Sequence, residues 1–392
     1  MKRNDFGENA PGQLVEATLP TGERYWAFVP NALPPHVEFD RETVAILSEA
    51  DQALGRLDGI GRTLLNPHML ICQFLRCEAV ASSRIEGTIT DLRQFLLYEA
   101  NPKDDEGSAD SVEVANYIRA LKYGLDSIRS RPISLQLLCE THQRLMAGAR
   151  GEDKMPGRFR ERQNMIGRMG QRPTEARFVP PPVLQMVGAL RDLDAYIQGP
   201  RNLPTLIDLA LIHYQFEAIH PFLDGNGRLG RVLVSLLLGE RGCLSQPLLY
   251  LSSYLEDHKD TYMDHLLAVS RTGDWGPWIR FFLRGIAAQS RAAVDRCGEL
   301  LDLREDYRKD LLAAGNSAND LRLLDALFEG PSTTIARAAK LLEMTVPGAR
   351  NCVQRLVSAG VLEEVTGKSR DRIYLAPAIL EIIQRSEVAG GR

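Results

Sequence analysis

Two apolar helical segments joined by a polar turn of twelve residues constrain this chain more than any other feature. The first segment, Ile-Asp-Leu-Ala-Leu-Ile-His-Tyr-Gln-Phe-Glu-Ala-Ile, ends at Ile219, and the second, Val-Leu-Val-Ser-Leu-Leu-Leu-Gly, begins at Val232. Between them runs His220-Pro221-Phe222-Leu223-Asp224-Gly225-Asn226-Gly227-Arg228-Leu229-Gly230-Arg231. Pro221 has no amide hydrogen and keeps the first helix from running on smoothly. Gly225 and Gly227 reach backbone angles that other residues resist, which turns the chain and starts a new helix near Arg228.

A Gly-Asn-Gly turn feeding a helix N-terminus is a nest for anions, with unbonded N–H groups and the positive end of the helix dipole. Arg228 and Arg231 are three apart and share a face of the opening helical turn, so two guanidinium forks stand ready for a polyphosphate. A carboxylate at Asp224 would repel phosphates unless a cation lay between them. Mg²⁺ is commonly held by one or two carboxylates together with substrate phosphates, which gives Asp224 a reason to be there. His220 belongs to the one residue type whose ordinary pKa suits proton removal near neutrality. Each of these residues has a bland reading of its own, as a surface histidine, a solvated arginine face or a helix cap. Their convergence within twelve residues favours the chemical one.

The chain has 392 residues, enough for two or three domains, with 44% hydrophobic and 25% charged residues as in ordinary globular proteins. Its net charge of -4 lends no support to a nucleic-acid coat or a membrane-surface binder, so an anionic ligand must be held by local positive groups. Six cysteines (Cys72, Cys77, Cys139, Cys243, Cys297 and Cys352) form no Cys-x-x-Cys pair and fit no zinc spacing. They read as buried free thiols and suit a reducing compartment. The N-terminus lacks the apolar stretch of a signal peptide, and the run from Val232 is too short to span a bilayer, so a cytoplasmic protein is expected.

Residues 1–38, with Pro20, Pro30, Pro34 and Pro35, read as an extended arm. Helical periodicity begins near Arg41 and recurs in a second helix that meets Gly87, a C-terminal stop; Asp91 with Gln94 then caps a short helix. Residues 101–111 are polar and read as a loop, with helices resuming over 112–129 and 134–146. The stretch 151–182, rich in Gly, Arg and Pro, carries two strand-like pieces, Asn164–Gly167 and Arg177–Pro180, and is expected to form a β-hairpin flap. Helices follow over 183–196, 205–219, 228–240, 257–272 and 275–312. After a break at 315–320, the tail reads as three helices (Asp320–Phe328, Thr334–Leu342, Val346–Ala359) and two short strands, a winged-helix pattern. Its eight Lys/Arg are nearly balanced by seven Asp/Glu over 317–377, which is poor for a DNA reader.

The turn matches His-Pro-Phe-x-Asp/Glu-Gly-Asn-Gly-Arg-x-x-Arg at every fixed position, and the chain thereby resembles the Fic family of protein adenylyltransferases. The resemblance extends from the helical N-terminal region through the flap to the tail. It implies a mainly α protein: a helical Fic core with a β-hairpin flap, plus a C-terminal winged-helix domain. The expected divisions are an N-terminal arm and helical region over 1–110, a core over 111–290, a linker helix over 291–316 and the winged helix over 317–392. It further implies that His220 deprotonates a Ser, Thr or Tyr hydroxyl that attacks the α-phosphorus of ATP. Asp224 would hold Mg²⁺, amides around Gly225, Asn226 and Gly227 would cradle the phosphates, and Arg228 and Arg231 would clamp the β- and γ-phosphates. A phosphorylating subfamily has lysine where this chain has Gly227, which favours AMP transfer here. In the family the target pairs with the flap edge, making Ile166, Arg177 and Phe178 the docking candidates.

Ser82-Ser83-Arg84-Ile85-Glu86-Gly87 matches the family's inhibitory pattern Ser/Thr-x-x-x-Glu-Gly/Asn, with Ser82, Glu86 and Gly87 at its fixed positions. Glu86 would sit at the negative end of its helix, where a carboxylate is disfavoured unless a buried arginine offsets it. The implied partners are ATP, a protein hydroxyl and the chain itself by self-modification; a homodimer is open to it, DNA is not favoured and no membrane is expected. Two other readings of the same residues are removal of AMP from a target, and a DNA-binding regulator with a nucleotide-sensing core.

Overall fold

The computed structural model describes residues 1–19, 21–64, 66–102, 109–148, 153–168 and 170–385. In chain order they form β1 (Gly12–Thr18), β2 (Arg24–Pro30), α1 (Arg41–Thr63), α2 (His68–Ile85), α3 (Leu92–Ala100), α4 (Ala109–Ser127), α5 (Leu135–Met146) and α6 (Val183–Gln198). There follow α7 (Thr205–Ile219), α8 (Asn226–Glu240), α9 (Ser252–Asp257), α10 (Lys259–Thr272) and α11 (Trp275–Ala313). The tail adds α12 (Ala318–Glu329), β3 (Ser332–Thr334), α13 (Ile335–Leu342), α14 (Val346–Ser358), β4 (Glu363–Glu364), β5 (Ile373–Leu375) and α15 (Pro377–Gln384). The fold is thus mainly helical, as the sequence predicts. Most of the polar loop expected over 101–111 lies outside the described residues.

Two compact units make up the chain: Met1–Leu54, Asn116–Cys243 and Leu251–Ala288 form one, and Gly55–Ala115, Leu244–Tyr250 and Gln289–Arg392 the other. In the first unit, the stretch expected as an extended arm contains a paired hairpin, with β1 antiparallel to β2 in a register from Gly12↔Pro30 to Thr18↔Arg24. Phe28 N–H also donates to Val179 O at 2.9 Å, which joins this hairpin to the second strand-like piece of the flap.

Helix α7 forms the centre of that unit and is buried from Leu206 to Ile219. Such burial requires every polar side chain on it to find a partner. Asp208 accepts from Tyr196 and pairs with Arg241. His213 lies between Tyr262 Oη at 2.8 Å and Gly230 O at 3.3 Å. Burial, helped by the nearby Arg231 charge, lowers its pKa to about 3 and keeps it neutral. Tyr214 shares a hydrogen bond of 2.9 Å with Ser270.

In the second unit, Gln73 and Arg76 of α2 donate to Phe328 O and Glu329 O at 2.8 and 2.7 Å, fixing α2 to the end of α12. Asp91 and Gln94 form the expected capping box, and Gly87 takes φ 98° just past α2. The three tail helices occur where periodicity places them. A strand at Ser332–Thr334 and the final helix α15 were not anticipated. The sheet order is β3-β5-β4, both pairings antiparallel. Asp320, fully buried, accepts Ser317 N–H and a two-pronged bond from Arg355 at 2.7 and 2.9 Å. Of the six cysteines, all free, Cys297 and Cys352 are buried and the other four are half-buried, less enclosed than expected. Among the described residues no helix is long and apolar enough to cross a membrane.

Candidate active site

Helix α7 ends because His220 adopts φ 49° and ψ 62°, a left-handed conformation unusual for a residue with a side chain. Its N–H still reaches Phe216 O at 3.0 Å, closing the last turn. Strain of this kind persists only where the surroundings over-determine it, and here they do. His220 O accepts from Arg160 Nε at 3.0 Å and from Asn164 Nδ2 at 3.1 Å. Arg160 N–H donates to Pro221 O at 2.9 Å, and Asn164 Nδ2 also donates to Phe222 O at 2.8 Å. The side-chain amide of Asn226 bonds both the N–H and the C=O of Phe222, each at 2.8 Å. The turn is therefore wired to itself and to the base of the flap.

The His220 ring has Nδ1 3.2 Å from Glu217 O. A carbonyl can only accept, so Nδ1 carries the proton and Nε2 is the basic nitrogen. The Glu217 carboxylate lies 3.9 Å from Nδ1.

Gly225 opens α8 with φ 75° and no side-chain cap. A Cβ there would come within 2.7 Å of Met146 Sδ and 3.2 Å of His142 Nε2, so conformation and space both demand glycine. The first bond of the helical ladder runs from Leu229 N–H to Gly225 O at 3.0 Å, so the amides of Asn226 and Gly227 precede it. Arg228 and Arg231, in the first turns of α8, are each 3% exposed, so their positive charges are buried beside the helix start. The Asp224 side chain is 44% exposed and lies 3.7 Å from Arg228 Nη2; its Oδ1 accepts Gly225 N–H at 2.6 Å. Among the described residues no cluster of three or more His, Cys, Asp or Glu could hold a metal unaided. One half-exposed carboxylate fits Mg²⁺ when phosphate oxygens complete the shell.

His142 and Arg160 were not among the residues singled out from the sequence, and Asn164 was named only as the start of a flap piece. His142 Nε2 donates to Asp224 O at 2.9 Å, Nδ1 accepts Gly157 N–H at 2.9 Å, and the ring stacks on Phe222 at 3.8 Å. Burial holds its pKa down to about 4, consistent with a neutral ring bridging two backbone groups. Sequence separations of 82 and 60 residues to their partners hide such roles from local pattern; the one available signal was the Gly-Arg-Phe-Arg stretch around Arg160.

The flap's two strand-like pieces meet in a single antiparallel bridge, Ile166↔Phe178, and form no longer ladder among the described residues. Ile166 is half-buried and Arg177 is exposed, paired with Asp264 at 2.5 Å. Phe178 is buried, with its ring 5.7 Å from that of Phe28, so its side chain packs the unit rather than facing outward. Ser82, Glu86 and Gly87 lie in the second unit: Ser82 is buried in α2, Glu86 is the exposed cap residue, and Gly87 N–H bonds Arg84 O at 3.0 Å.

Fold and site together define a helical domain in which a histidine ends one buried helix and a glycine-led anion cradle opens the next. The chain belongs to the Fic/DOC family: the family's own model matches residues 132–238, and that of the Fic/DOC N-terminal region matches residues 44–126. It is similar to a protein adenylyltransferase Fic of Culex quinquefasciatus, 26% identical over 71% of this chain and 55% of that protein. Protein adenylyltransferase fic-1 of Caenorhabditis elegans is 28% identical over 46% of this chain and 31% of that one. The chain thus spans about half, or less, of the length of these curated relatives. Among solved structures, a Fic family protein from Desulfovibrio desulfuricans superposes with a TM-score of 0.57 at 21% identity, covering 88% of this chain and 98% of its own. Fic-1 of C. elegans gives 0.50 at 21% identity over 64% of this chain and 72% of that one, a likeness of fold.

Proposed function

We propose that the chain moves AMP from ATP to a hydroxyl of a protein. The observation carrying this reading is the left-handed His220 set five residues before an uncapped, arginine-backed helix N-terminus. The α8 amides, with Arg228 and Arg231, would hold the triphosphate. His220 Nε2 would take the proton of a Ser, Thr or Tyr hydroxyl as its oxygen attacks the α-phosphorus. The bond from that phosphorus to the bridging oxygen breaks, and pyrophosphate leaves. Proton and positive charge then rest on an imidazole already hydrogen-bonded to Glu217. Mg²⁺, held by Asp224 with the phosphates, would neutralise charge on the leaving group. Catalysis of this type is mainly positioning and charge compensation, which suits a turn so heavily cross-bonded. Mass spectrometry after incubation with ATP and Mg²⁺ should find AMP on a hydroxyl of this chain or of a partner; persistent absence of any adduct would reject the reading.

Glu86, at the end of α2 within the family's inhibitory pattern, is proposed as a brake that competes for Arg231, with Ser82 and Gly87 shaping the end of its helix. Each ~1.4 kcal/mol of bias against the productive ATP pose costs about tenfold in rate. Glu86→Gly should therefore raise self-labelling roughly ten- to a hundredfold; loss of labelling would instead make Glu86 a participant. The tail is read as a winged helix serving protein contact. Its DNA-facing candidate, α14, offers few cations, and Arg355 on it is already committed to Asp320.

A further inference from the structure

We propose that the flap selects acidic protein segments as acceptors, an inference that rests on the transfer reading above. The chain is acidic as a whole, yet its flap is not. Lys154 is paired with Asp153 at 2.5 Å, Arg158 with Glu161 at 2.8 Å and Arg177 with Asp264 at 2.5 Å, while the buried Arg160 holds His220 O. Arg162, Arg168 and Arg172 remain exposed, and among the described residues none has a carboxylate within 4 Å, although Arg162, after the Lys154 hydrogen bond, helps hold the Asp153 carboxyl below its usual range. Among the described flap residues the remaining acid, Glu175, is turned to the backbone, its Oε2 accepting Arg172 N–H at 3.4 Å.

The backbone around these three arginines is held by its neighbours. Arg162 stands between Arg160 and Asn164, the two side chains bonded to His220 O. Arg168 and Arg172 each begin a tight turn, with Gln171 N–H on Arg168 O at 3.2 Å and Ala176 N–H on Arg172 O at 3.0 Å. Three exposed guanidinium forks on the segment that also carries Arg160 and Asn164, the supports of His220, suit carboxylates spaced along a peptide. Single-stranded nucleic acid would also need exposed rings to stack on. On the flap, Phe178 is buried and Phe159 lies against Phe222, ring centres 5.2 Å apart.

The test is fluorescence anisotropy of the full chain with fluorescein-labelled poly(Glu,Tyr), poly(Lys,Tyr) and oligothymidine at low and high salt. Poly(Glu,Tyr) should bind roughly tenfold tighter than poly(Lys,Tyr) at low salt, lose that margin at high salt, and outcompete oligothymidine. R162E/R168E/R172E should reverse the preference with an unchanged melting curve, and R162Q/R168Q/R172Q should abolish it. Equal binding of the two polymers, an unaffected preference in these variants, or tighter binding of oligothymidine would overturn the proposal. Binding is read without transfer. If label from α-labelled ATP never enters poly(Glu,Tyr) or the chain while the binding preference holds, the transfer reading falls and the acidic-segment surface stands.

Discussion

The helix starts of α8 and α14 are both preceded by short turns, and they are built in opposite ways. Thr345 caps α14 with its own hydroxyl, accepting Gly348 N–H at 3.4 Å, and Arg355 of that helix is consumed by the buried Asp320. At α8 the cap residue is a glycine with no side chain to offer, and the two arginines of the opening turns are buried beside the helix start. One helix completes its own cap; in the proposed reading, a nucleotide's phosphates complete the other. A helix start carries function where the chain withholds its own cap and spends bonds instead on the residues around it.

The largest effect that would sharpen this contrast is at His220. His220→Ala should lower AMP transfer by ~10²–10⁴ while leaving ATP affinity within a few-fold, because the cradle and not the imidazole holds the nucleotide. Calorimetry alongside a labelling assay measures both, and a parallel collapse of ATP binding would mean that the two functions are not separable. Gly225→Ala should act the other way. Left-handed backbone costs a side chain about 1–2 kcal/mol, and the added carbon meets Met146 Sδ at 2.7 Å, so ATP affinity should fall roughly tenfold or more. An unchanged Kd would show that the amides do not cradle phosphate.

In the self-completed helix the expected effect is on stability. Arg355→Ala leaves Asp320 buried without its partner and should cost about 1–3 kcal/mol in the unfolding transition of the second unit, with ATP affinity unaltered. Loss of ATP binding without loss of stability would break the comparison. The smallest effect concerns pH. His213 titrates at about 3 in the fold against an ordinary 6.5, so its neutral form stabilises fully above pH 6.5 and that contribution is lost as pH falls toward 3. The slope is about 1.4 kcal/mol per pH unit for each such proton. His213→Gln should flatten the melting temperature between pH 6.5 and 4, and an equally steep curve would assign the acid sensitivity to other groups such as His142.

What the sequence disclosed and what it hid divide along the same line. The turn from His220 to Arg231, the cap at Asp91 and the stop at Gly87 are local chemistry, written within a few consecutive residues. The supports of the turn are not. His142, Arg160 and Asn164 act on residues 56 to 82 positions away, and beyond the Gly-Arg-Phe-Arg stretch around Arg160 and the flap piece that begins at Asn164, their neighbourhoods do not disclose that role. The hairpin β1–β2 hid behind prolines and scattered aromatics that blur strand alternation. The flap shrank to one bridge because Pro173, Pro180, Pro181 and Pro182 lack the amide hydrogens a ladder needs. Phe178 looked like a docking side chain because its burial against Phe28 depends on a distant hairpin.

The most direct test of the central claim is a pair of parallel incubations of the chain with Mg²⁺ and ATP labelled on the α- or the γ-phosphate, each run for the native sequence and for His220→Ala. The account predicts protein-bound label from α-labelled ATP alone, and its loss in His220→Ala. Label arriving from the γ-phosphate, or α-label undiminished without His220, would contradict it.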